Sequence, residues 1–510
     1  MTEPWPRGRN PFDESDVERG ADGVARYTRL HDSLVHMLRA SVERDPSATA
    51  VLEVGGPSLS YRELWDRSAR VAGGLRAAGV GRGERVAIVL PNGLDWVLAF
   101  FGSQMLGAAV VPVNTRFTDD EVAYVVGDSG AVHTFSPGEP LPDADPVTVE
   151  DLRPDEVAAI FYTSGTTGFP KGAMTTHANF MTNSENAFRC LRADRSEGPG
   201  ISTLVSVPLF HVTGCNSQLI PVLELGGRVE ILSGPLDLDG FFRSVGENGV
   251  NQLVSVPAIY HAVLRHPAFG ELDVSRVRWI SYGGAPIAES LVHAIKQAFP
   301  AARVGNGFGL TETSSLTSFL PDEEAAEHAD SVGFAMPVVD LALDEPDPET
   351  GVGELLVRGP NVVSGYWNKP EASAETFVDG WLHTGDLARL DADGLLYIVD
   401  RKKDMINRGG ENVYSLEVEN VLAAAPGVAE AAVVAVPDDM MGEKVGAVLV
   451  PAAGAELDVA AVIAYCRVHL ADFKVPQYVD VREQPLPRNP GGKLLKAALR
   501  ADTRWGKPLR

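Results

Sequence analysis

One segment has the composition of a polyphosphate-binding loop. It reads YTSGTTGFPKG at positions 162–172, directly after an apolar run at 157–161 that predicts a β-strand. Glycines let backbone N–H groups approach phosphate oxygens closely, hydroxyl side chains add short donors, and Lys171 adds a positive charge. Because Gly168 precedes Lys171 by three positions, the spacing does not fit Gly-x4-Gly-Lys-Ser/Thr. The segment therefore predicts an anion-binding loop of a kind other than the ordinary P-loop.

A second segment could hold a nucleotide and its metal ion. It reads NGFGLTET at positions 306–313 and places an amide, an aromatic ring, a hydroxyl and a carboxylate beside flexible glycines. An adenine ring needs an apolar face to lie against and an amide to read its edge, and magnesium prefers hard oxygen ligands. These residue types suit both requirements.

The elements that must position these segments alternate along the chain. Short β-branched runs, at 85–90, 108–113, 204–208 and 252–256, are separated by helix-compatible segments such as 61–78 and 288–299. This alternation favours an α/β architecture with buried, largely parallel strands. Beyond residue 353, short strand-like pieces separated by Gly, Asp and Pro indicate a smaller β-rich subdomain. The charged run at 400–404 then precedes a last segment long enough to form a small domain.

Charge and cysteine content exclude several classes of protein. The 510 residues carry a formal net charge of −25, which argues against a general attraction to nucleic acid or anionic lipid. The three cysteines, Cys190, Cys215 and Cys466, are spaced neither as a disulfide framework nor as a tetrahedral zinc site. A reducing compartment is the natural interpretation.

Two further segments bear on location. Residues 1–20 are rich in charge, Pro and Gly and lack the continuous apolar core of a signal peptide. The most hydrophobic stretch, 96–113, is interrupted by polar residues, Gly and Pro, so we predict a buried helix leading into a strand and no integral membrane segment. We therefore expect a cytoplasmic protein.

The loop at 162–172 closely resembles the phosphate-loop signature of the adenylate-forming superfamily, which includes acyl-CoA synthetases, coumarate-CoA ligases, luciferases and the adenylation domains of peptide synthetases. The other motifs of that family follow in the expected order, so the resemblance extends from about residue 61 to residue 493. It implies a large multi-subdomain α/β N-terminal domain with mostly parallel sheets and a small mobile α+β C-terminal domain. We expect a polar N-terminal arm at 1–30, an ATP- and acid-binding domain at 31–399, a hinge at 400–404 and a mobile domain at 405–510.

The resemblance also implies roles for individual residues. Asn306 and Phe308 would hold adenine, Asp386 the ribose, and Glu312 with Thr163 the magnesium ion. The full set implied for ATP binding is Thr163, Ser164, Gly165, Thr166, Thr167, Gly168, Lys171, Gly284, Ala285, Asn306, Gly307, Phe308, Gly309, Thr311, Asp386, Arg401 and Lys493.

The end of the chain carries the parts that the resemblance implies for catalysis and rotation. Lys493 would bridge the reacting carboxylate and the nucleotide, because two anions must approach each other there. Lys403 would be the pivot of the hinge, and Gly409, Gly410 and Phe473 would contact CoA. Positions 475 and 477 hold Val and Gln where some relatives place basic residues, so the contacts to the CoA phosphates stay open.

The acid-binding pocket is the least defined part. The segment PLFHVTGC at 208–215 resembles the family's gate to the acyl pocket. In that reading His211 orients the carboxylate, and together with Lys493 and Glu312 it completes the expected catalytic set. Phe210, Gly214 and Cys215 would shape the cavity, and Ser281 and Gly283 would line it. The alternative is that Phe210 and Cys215 pack the core. A fatty or other apolar acid is the modest inference.

Together these motifs predict an ATP-dependent acid:CoA ligase. It would form an acyl-adenylate with release of pyrophosphate, and the CoA thiol would then displace AMP. The expected ligands are ATP, Mg²⁺, coenzyme A and a small carboxylic acid, with no nucleic acid, and a homodimer is compatible with the sequence. Three alternatives remain: acyl transfer to a separate carrier protein, a catalytically silent nucleotide or acyl-ligand binder, and luciferase-like oxygenation.

Overall fold

The computed structural model describes residues 2–163, 170–233, 237–285, 287–452, 454, 456–488 and 494–509. The chain forms two compact units. The first comprises Met1–Ala342, Val357–Leu382 and Asp391–Leu396, and the second comprises Leu343–Leu356, His383–Leu390 and Tyr397–Arg510. The predicted bounds of the arm, the hinge and the C-terminal domain stay a prediction.

The strands of the described chain are β1 Val17–Arg19, β2 Ala25–Tyr27, β3 Thr49–Glu53, β4 Ser58–Ser60, β5 Arg85–Ile88, β6 Ala109–Pro112, β7 His133–Phe135, β8 Val157–Thr163, β9 Lys171–Thr176, β10 Ser202–Val205, β11 Arg228–Ile231, β12 Gln252–Ser255, β13 Trp279–Gly283, β14 Arg303–Phe308, β15 Ser318–Leu320, β16 Gly333–Ala335, β17 Asp340–Asp344, β18 Gly353–Arg358, β19 Phe377–Val378, β20 Trp381–Leu390, β21 Leu395–Arg401, β22 Ile406–Arg408, β23 Glu411–Val413, β24 Val428–Asp438, β25 Gly442–Pro451 and β26 Tyr478–Val481.

The helices are α1 Leu34–Arg44, α2 Tyr61–Ala77, α3 Leu94–Met105, α4 Asp119–Ser129, α5 His177–Leu191, α6 Val212–Gly214, α7 Ile220–Glu224, α8 Leu238–Gly246, α9 Pro257–Arg265, α10 Glu289–Ala298, α11 Pro370–Thr376, α12 Ser415–Ala424, α13 Val459–His469 and α14 Lys496–Asp502. Short 3₁₀ turns cover Arg195–Gly200, Pro267–Glu271, Thr311–Thr313 and Asp472–Lys474, and a π-turn covers Cys215–Leu219.

Parallel pairing dominates the first unit. One sheet has the order β7-β5-β6-β8-β9, in which β9 alone runs antiparallel to its neighbour. A second sheet contains six consecutive parallel strands in the order β3-β11-β10-β12-β13-β14, and β15 and β16 continue it antiparallel. The predicted α/β class with mostly parallel sheets is confirmed.

The core of the first unit is centred on α3. Its side chains are almost all buried, with Trp96, Phe100 and Phe101 fully enclosed, and β6 follows four residues after the helix ends. The prediction of a buried helix leading into a strand at 96–113 is therefore confirmed. Among the described residues, no helix is long and apolar enough to cross a membrane.

The second unit has its own core. Its sheet has the order β23-β22-β25-β24, with β26 added parallel to β25, and α12 and α13 bury their apolar faces against it. On the other face of the sheet, Leu499 of α14 packs with Leu486 and the valines of β24 and β25. This is the small α+β domain that the sequence predicts.

Candidate active site

The predicted phosphate loop lies at the end of a β-hairpin. Thr163 and Lys171 face each other as the last pair of β8 and β9, and the Thr163 hydroxyl lies 3.4 Å from the Lys171 carbonyl oxygen. The loop between them, with Ser164, Gly165, Thr166, Thr167 and Gly168, lies outside the described residues. The structure therefore places the two ends of the loop, and the contacts of the loop itself stay a prediction.

The two segments expected to hold adenine end side by side. Because β13 and β14 are parallel neighbours, with Gly283 paired to Gly307, their carboxyl ends meet at one edge of the sheet. That edge is where ligands of open α/β sheets bind. A Cβ atom on Gly283 would lie 2.2 Å from the Gly307 carbonyl oxygen, so this close approach requires glycine. In the same register Ser281 is paired with Gly305, and Gly284 and Ala285 follow Gly283 directly along the chain.

Asn306 has a fixed orientation. Its side chain is buried, and its amide nitrogen donates a 3.2 Å hydrogen bond to the Ser331 carbonyl. This bond commits one amide hydrogen and sets the direction of the side-chain oxygen, which is an acceptor. Two residues later Phe308 is only half-buried. The Asn306 side-chain oxygen could accept a hydrogen bond from the edge of an adenine ring, and the partly exposed Phe308 ring could pack against its face.

The candidate metal carboxylate belongs to a tight turn. Glu312 is the middle residue of the 3₁₀ turn Thr311–Thr313, and Ser314 and Ser315 follow it with φ of +56° and +118°. Residues other than glycine rarely adopt such positive φ angles, so the surrounding structure must hold the backbone in this conformation. On the other side of the turn, a Cβ atom on Gly309 would lie 1.3 Å from the Ser315 carbonyl oxygen. Close backbone packing therefore fixes the position of Glu312.

One tyrosine contacts both Lys171 and Glu312. The Tyr366 hydroxyl donates a 2.7 Å hydrogen bond to Glu312 Oε1, and Lys171 Nζ lies 4.4 Å from the centre of the Tyr366 ring. Sequence reasoning missed Tyr366, which lies 54 residues from Glu312 in a stretch without a phosphate-binding or metal-binding pattern. The Gly-Tyr-Trp run at 365–367 is the only local signal, and by itself it indicates a turn.

The expected acyl gate is partly core. His211 is exposed, and its Nδ1 accepts a 3.3 Å hydrogen bond from the Thr213 backbone at the start of α6. Cys215 is fully buried among the core side chains, and burial raises the pKa of its thiol well above the usual value. A Cβ atom on Gly214 would lie 2.4 Å from the Pro208 carbonyl oxygen, so Gly214 permits a tight turn. Phe210 is half-buried, and the roles of all four toward an acid stay predictions.

In the second unit, the two predicted ribose residues form an ion pair. Arg401 Nε lies 2.7 Å from Asp386 Oδ1, and the Asp386 side chain is almost fully buried while Arg401 is one-third exposed. The backbone N–H of Asp386 donates to the Thr384 hydroxyl, which itself donates to the Leu355 carbonyl. The Thr-Gly-Asp motif is therefore a firmly held part of β20.

The first residue of the predicted hinge, Asp400, is anchored by a hydrogen-bond network to residues that follow the hinge. The backbone and hydroxyl of Ser415 donate to the Asp400 carboxylate, and Lys496 Nζ donates to the Ser415 hydroxyl at 2.7 Å. Lys403 is exposed, and desolvation by the groups around it lowers its pKa. Lys493 lies outside the described residues, three positions before Lys496 at the start of α14.

The expected CoA turn is a two-residue hairpin between β22 and β23. Gly409 and Gly410 have φ of +63° and +95°, as a type I′ turn requires. The Gly410 N–H donates to Asn407 Oδ1, and the Gly409 N–H donates to the Met441 carbonyl. Phe473 is partly buried against the core of the second unit. The structure fixes the shape of this turn, and its contact with CoA stays a prediction.

One other group of side chains could be considered for a metal. Ligand atoms of Asp344, Glu354 and His383 lie within 4.8 Å of one another in the second unit. Lys402 Nζ lies 2.7 Å from Glu354 Oε2, and the Gly385 N–H donates to the other Glu354 oxygen. Because Lys402 already balances the charge of Glu354, we assign no metal to this group.

Comparison with known proteins identifies the family. Residues 38–367 match the family described as AMP-binding enzyme, and residues 417–493 match the AMP-binding enzyme C-terminal domain. The chain therefore belongs to the AMP-binding enzyme family, among the acyl-CoA synthetases of the adenylate-forming superfamily.

Named relatives include enzymes for aromatic and aliphatic acids. The chain is 38% identical over 479 residues to a feruloyl-CoA synthase from an Amycolatopsis species, covering 89% of this chain and 96% of that protein. It is 34% identical over 502 residues to the long-chain-fatty-acid–CoA ligase FadD13 of Mycobacterium tuberculosis, covering 91% of this chain and 97% of that protein.

A solved structure shows the same fold. The o-succinylbenzoate CoA synthetase of Bacillus subtilis, in complex with its acyl-adenylate intermediate, superposes with a TM-score of 0.84 at 29% identity, covering 94% of this chain and 100% of that chain. Another structure of that enzyme contains ATP and a magnesium ion. The predicted set of ATP, magnesium and coenzyme A is confirmed at the level of the family.

Proposed function

We propose that this protein activates an apolar carboxylic acid with ATP and transfers the acyl group from the resulting adenylate to CoA. The observation that carries the proposal is the meeting of Lys171 and Glu312 at Tyr366, at the end of the β8–β9 hairpin. A cation for phosphate oxygens and a carboxylate for a metal ion, held by one side chain, suit the triphosphate of ATP.

The residues present fit a magnesium ion. Glu312 offers a carboxylate whose Oε1 accepts from Tyr366, so this bond does not compete for Oε2, and Thr163 offers a hydroxyl. Hard oxygen ligands of this kind are those that magnesium prefers. When bound, the ion neutralises phosphate charge and helps to position the triphosphate.

The protein's own residues would bind and orient the reactants. Lys171 would hold phosphate oxygens, and the Asp386 carboxylate would accept hydrogen bonds from the ribose hydroxyls. Lys493 would lie between the acid and the α-phosphate, where its charge offsets the repulsion between two anions. The acid's oxygen attacks the α-phosphorus and pyrophosphate leaves. The CoA thiolate then attacks the acyl carbon and AMP leaves, after the C-terminal domain has turned about Lys403.

The acid is proposed as apolar, either aromatic or aliphatic. The named relatives act on feruloyl and long-chain fatty acyl groups. The small Gly214 and the half-buried Phe210 are compatible with an apolar cavity beside His211. Because these side chains suit a ring and a hydrocarbon chain alike, both belong in the test.

The test is a panel of acids. Ferulic, coumaric and benzoic acids and fatty acids of increasing chain length would be assayed for acid-dependent exchange of labelled pyrophosphate into ATP, and for acyl-CoA by mass spectrometry. Exchange and acyl-CoA formation with at least one apolar acid are expected. Absence of exchange with every acid would favour a silent binder, and exchange with transfer only to a phosphopantetheine carrier protein would replace CoA as the acceptor.

Two further proposals concern the location and the assembly of the protein. The protein is expected in the cytoplasm, and light scattering after size exclusion would test the homodimer.

A further inference from the structure

A short segment, the strap (residues 361–367), holds the turn that carries Glu312. The buried Asn361 amide donates to the carbonyls of Thr313 and Leu316, at 3.2 and 2.9 Å. The Val363 N–H donates to the Glu312 carbonyl at 2.9 Å. Three backbone carbonyls around the candidate metal ligand are thus satisfied by the strap. This supports the turn in spite of the unfavourable φ angles at its end.

The same strap is hydrogen-bonded to the phosphate hairpin. The Met174 N–H donates to the Gly365 carbonyl at 3.0 Å, and the Trp367 N–H donates to the Gly172 carbonyl at 2.8 Å. These bonds pair Tyr366 with Ala173 of β9 as an isolated antiparallel bridge. The strap therefore lies between β9, which begins with Lys171, and the turn of Glu312.

Tyr366 is the side chain placed between them. It is buried, its ring packs against Phe377 at 5.6 Å, and its backbone N–H donates to the Ser373 hydroxyl. A phenol carries its proton at neutral pH, so the Tyr366 hydroxyl is the donor in its hydrogen bond to the Glu312 carboxylate. The rotamer of the tyrosine is therefore fixed on both sides before any ligand binds.

Lys171 and Glu312 carry opposite charges, and both contact Tyr366. Tyr366 gives each one a different partner: its hydroxyl bonds to the Glu312 carboxylate, and the face of its ring stabilises the Lys171 ammonium by a cation–π contact. The described contact of the Lys171 ammonium is with the ring, and the described hydrogen bond of the Glu312 carboxylate is with the hydroxyl. Lys171 thus stays available for phosphate and Glu312 for a metal ion.

We propose that Tyr366 is a positioning residue of the adenylation site, which orients the metal-binding carboxylate of Glu312 through its hydroxyl and the phosphate-binding ammonium of Lys171 through its ring. The proposal rests on the proposed function of this site. A positioning role can be distinguished from a packing role, because the hydroxyl contacts Glu312 and the ring contacts Lys171, and each can be removed separately.

The experiment separates these parts with two variants and a control. Tyr366→Phe removes the hydroxyl and keeps the ring, whereas Tyr366→Leu removes both. Tyr27→Phe is the matched control, because it removes another buried tyrosine hydroxyl of the first unit, which donates to Asn186 Oδ1 at 2.7 Å. Mn²⁺ binding in the presence of a non-hydrolysable ATP analogue would be followed by loss of the free Mn²⁺ signal in electron paramagnetic resonance. Binding of the analogue without metal would be followed by calorimetry.

Tyr366→Phe should weaken Mn²⁺ binding about tenfold, as loss of a ligand's outer partner does, and leave metal-free binding of the analogue unchanged. Tyr366→Leu should weaken both, and Tyr27→Phe neither. In a Glu312→Gln background, Tyr366→Phe should cause no further loss of Mn²⁺ affinity. Should Tyr366→Phe unfold by circular dichroism, this comparison would be made with Tyr366→Trp, which also lacks the phenolic hydroxyl.

Parent-like Mn²⁺ affinity in folded Tyr366→Phe would overturn the proposal. The proposed function is judged separately, by acid-dependent pyrophosphate exchange in the parent. If the parent shows no exchange but Tyr366→Phe loses Mn²⁺ affinity, the proposed function fails and the positioning role stands.

Discussion

Arg401 Nε lies 2.7 Å from Asp386 Oδ1, and this ion pair joins the Thr-Gly-Asp motif of β20 to β21, the strand that leads into the predicted hinge. Asp386 is almost fully buried, so its carboxylate depends on Arg401 for charge balance. A carboxylate held in this way is a fixed acceptor for a pair of hydroxyl groups. The same arginine is therefore expected to influence nucleotide binding through Asp386.

The first prediction concerns this pair. Asp386→Asn should raise the KM for ATP about tenfold or more, because a neutral amide accepts hydrogen bonds from ribose less strongly than a carboxylate. Pyrophosphate exchange would be measured with ATP and with 2′-deoxy-ATP, and the parent's preference for ATP should shrink in the variant. Asp480→Asn is the control, since Asp480 forms a similar pair with Arg482 at 2.9 Å in the same unit. An unchanged KM in folded Asp386→Asn would remove Asp386 from the ribose site.

The second prediction concerns the metal ligand. Glu312→Gln should lower magnesium-dependent adenylation by at least about a hundredfold, since loss of an outer partner alone costs about 10- to 100-fold. The Gln side chain keeps an oxygen for the Tyr366 hydroxyl, so the fold should persist. Exchange rates would be measured against magnesium concentration, with the exposed Glu323→Gln as control. Parent-like rates for Glu312→Gln would exclude it as the metal ligand.

The fold was predictable where its causes are local. The apolar run at 157–161 predicted the strand that β8 forms, and the apolar stretch at 96–113 predicted the buried helix α3 and the strand that follows it. The contacts of Tyr366 could not be predicted, because they depend on tertiary structure. The strap is hydrogen-bonded to both Gly172 and Glu312, and no local sequence pattern indicates which tyrosine will pack against Lys171. Cys215 was ambiguous because a small apolar side chain suits a cavity wall and a core equally well. The structure places it in the core.

The third prediction concerns Lys493, whose role is implied only by the resemblance to the family. Lys493→Ala should impair formation of the acyl-adenylate far more than transfer to CoA from a supplied acyl-adenylate, because its charge is needed only where two anions approach. Single-turnover measurement of each half-reaction would separate the steps, with Lys507→Ala as the control. Equal losses in both steps would contradict this division of roles.

The fourth prediction concerns pH and stability. Burial raises the pKa of Glu224 from 4.5 to about 7, although the Ser184 hydroxyl contacts its carboxylate. The folded protein therefore holds a proton on Glu224 that the unfolded chain has lost between these pH values. The free energy of unfolding should fall as the pH rises from about 4.5 to 7, by about 3 kcal/mol from this residue.

Glu224→Gln should remove this part of the pH dependence, because an amide does not titrate. Denaturant unfolding followed by tryptophan fluorescence at a series of pH values would measure it, with the exposed Glu371→Gln as control. The stability difference between Glu224→Gln and the parent should grow in favour of the variant as the pH rises. A difference that stays constant from pH 4.5 to 7 would show that Glu224 has the same pKa in the folded and the unfolded protein.

The most direct test of adenylation followed by thiol transfer is to follow the oxygen atoms of the acid. A substrate acid labelled with ¹⁸O in both carboxylate oxygens would be converted with ATP and CoA, and the products would be weighed by mass spectrometry. Attack of the carboxylate on the α-phosphorus, followed by cleavage of the acyl–oxygen bond by CoA, leaves one ¹⁸O in AMP and one in acyl-CoA, with unlabelled pyrophosphate. AMP without label, or labelled inorganic phosphate formed together with ADP, would contradict the account.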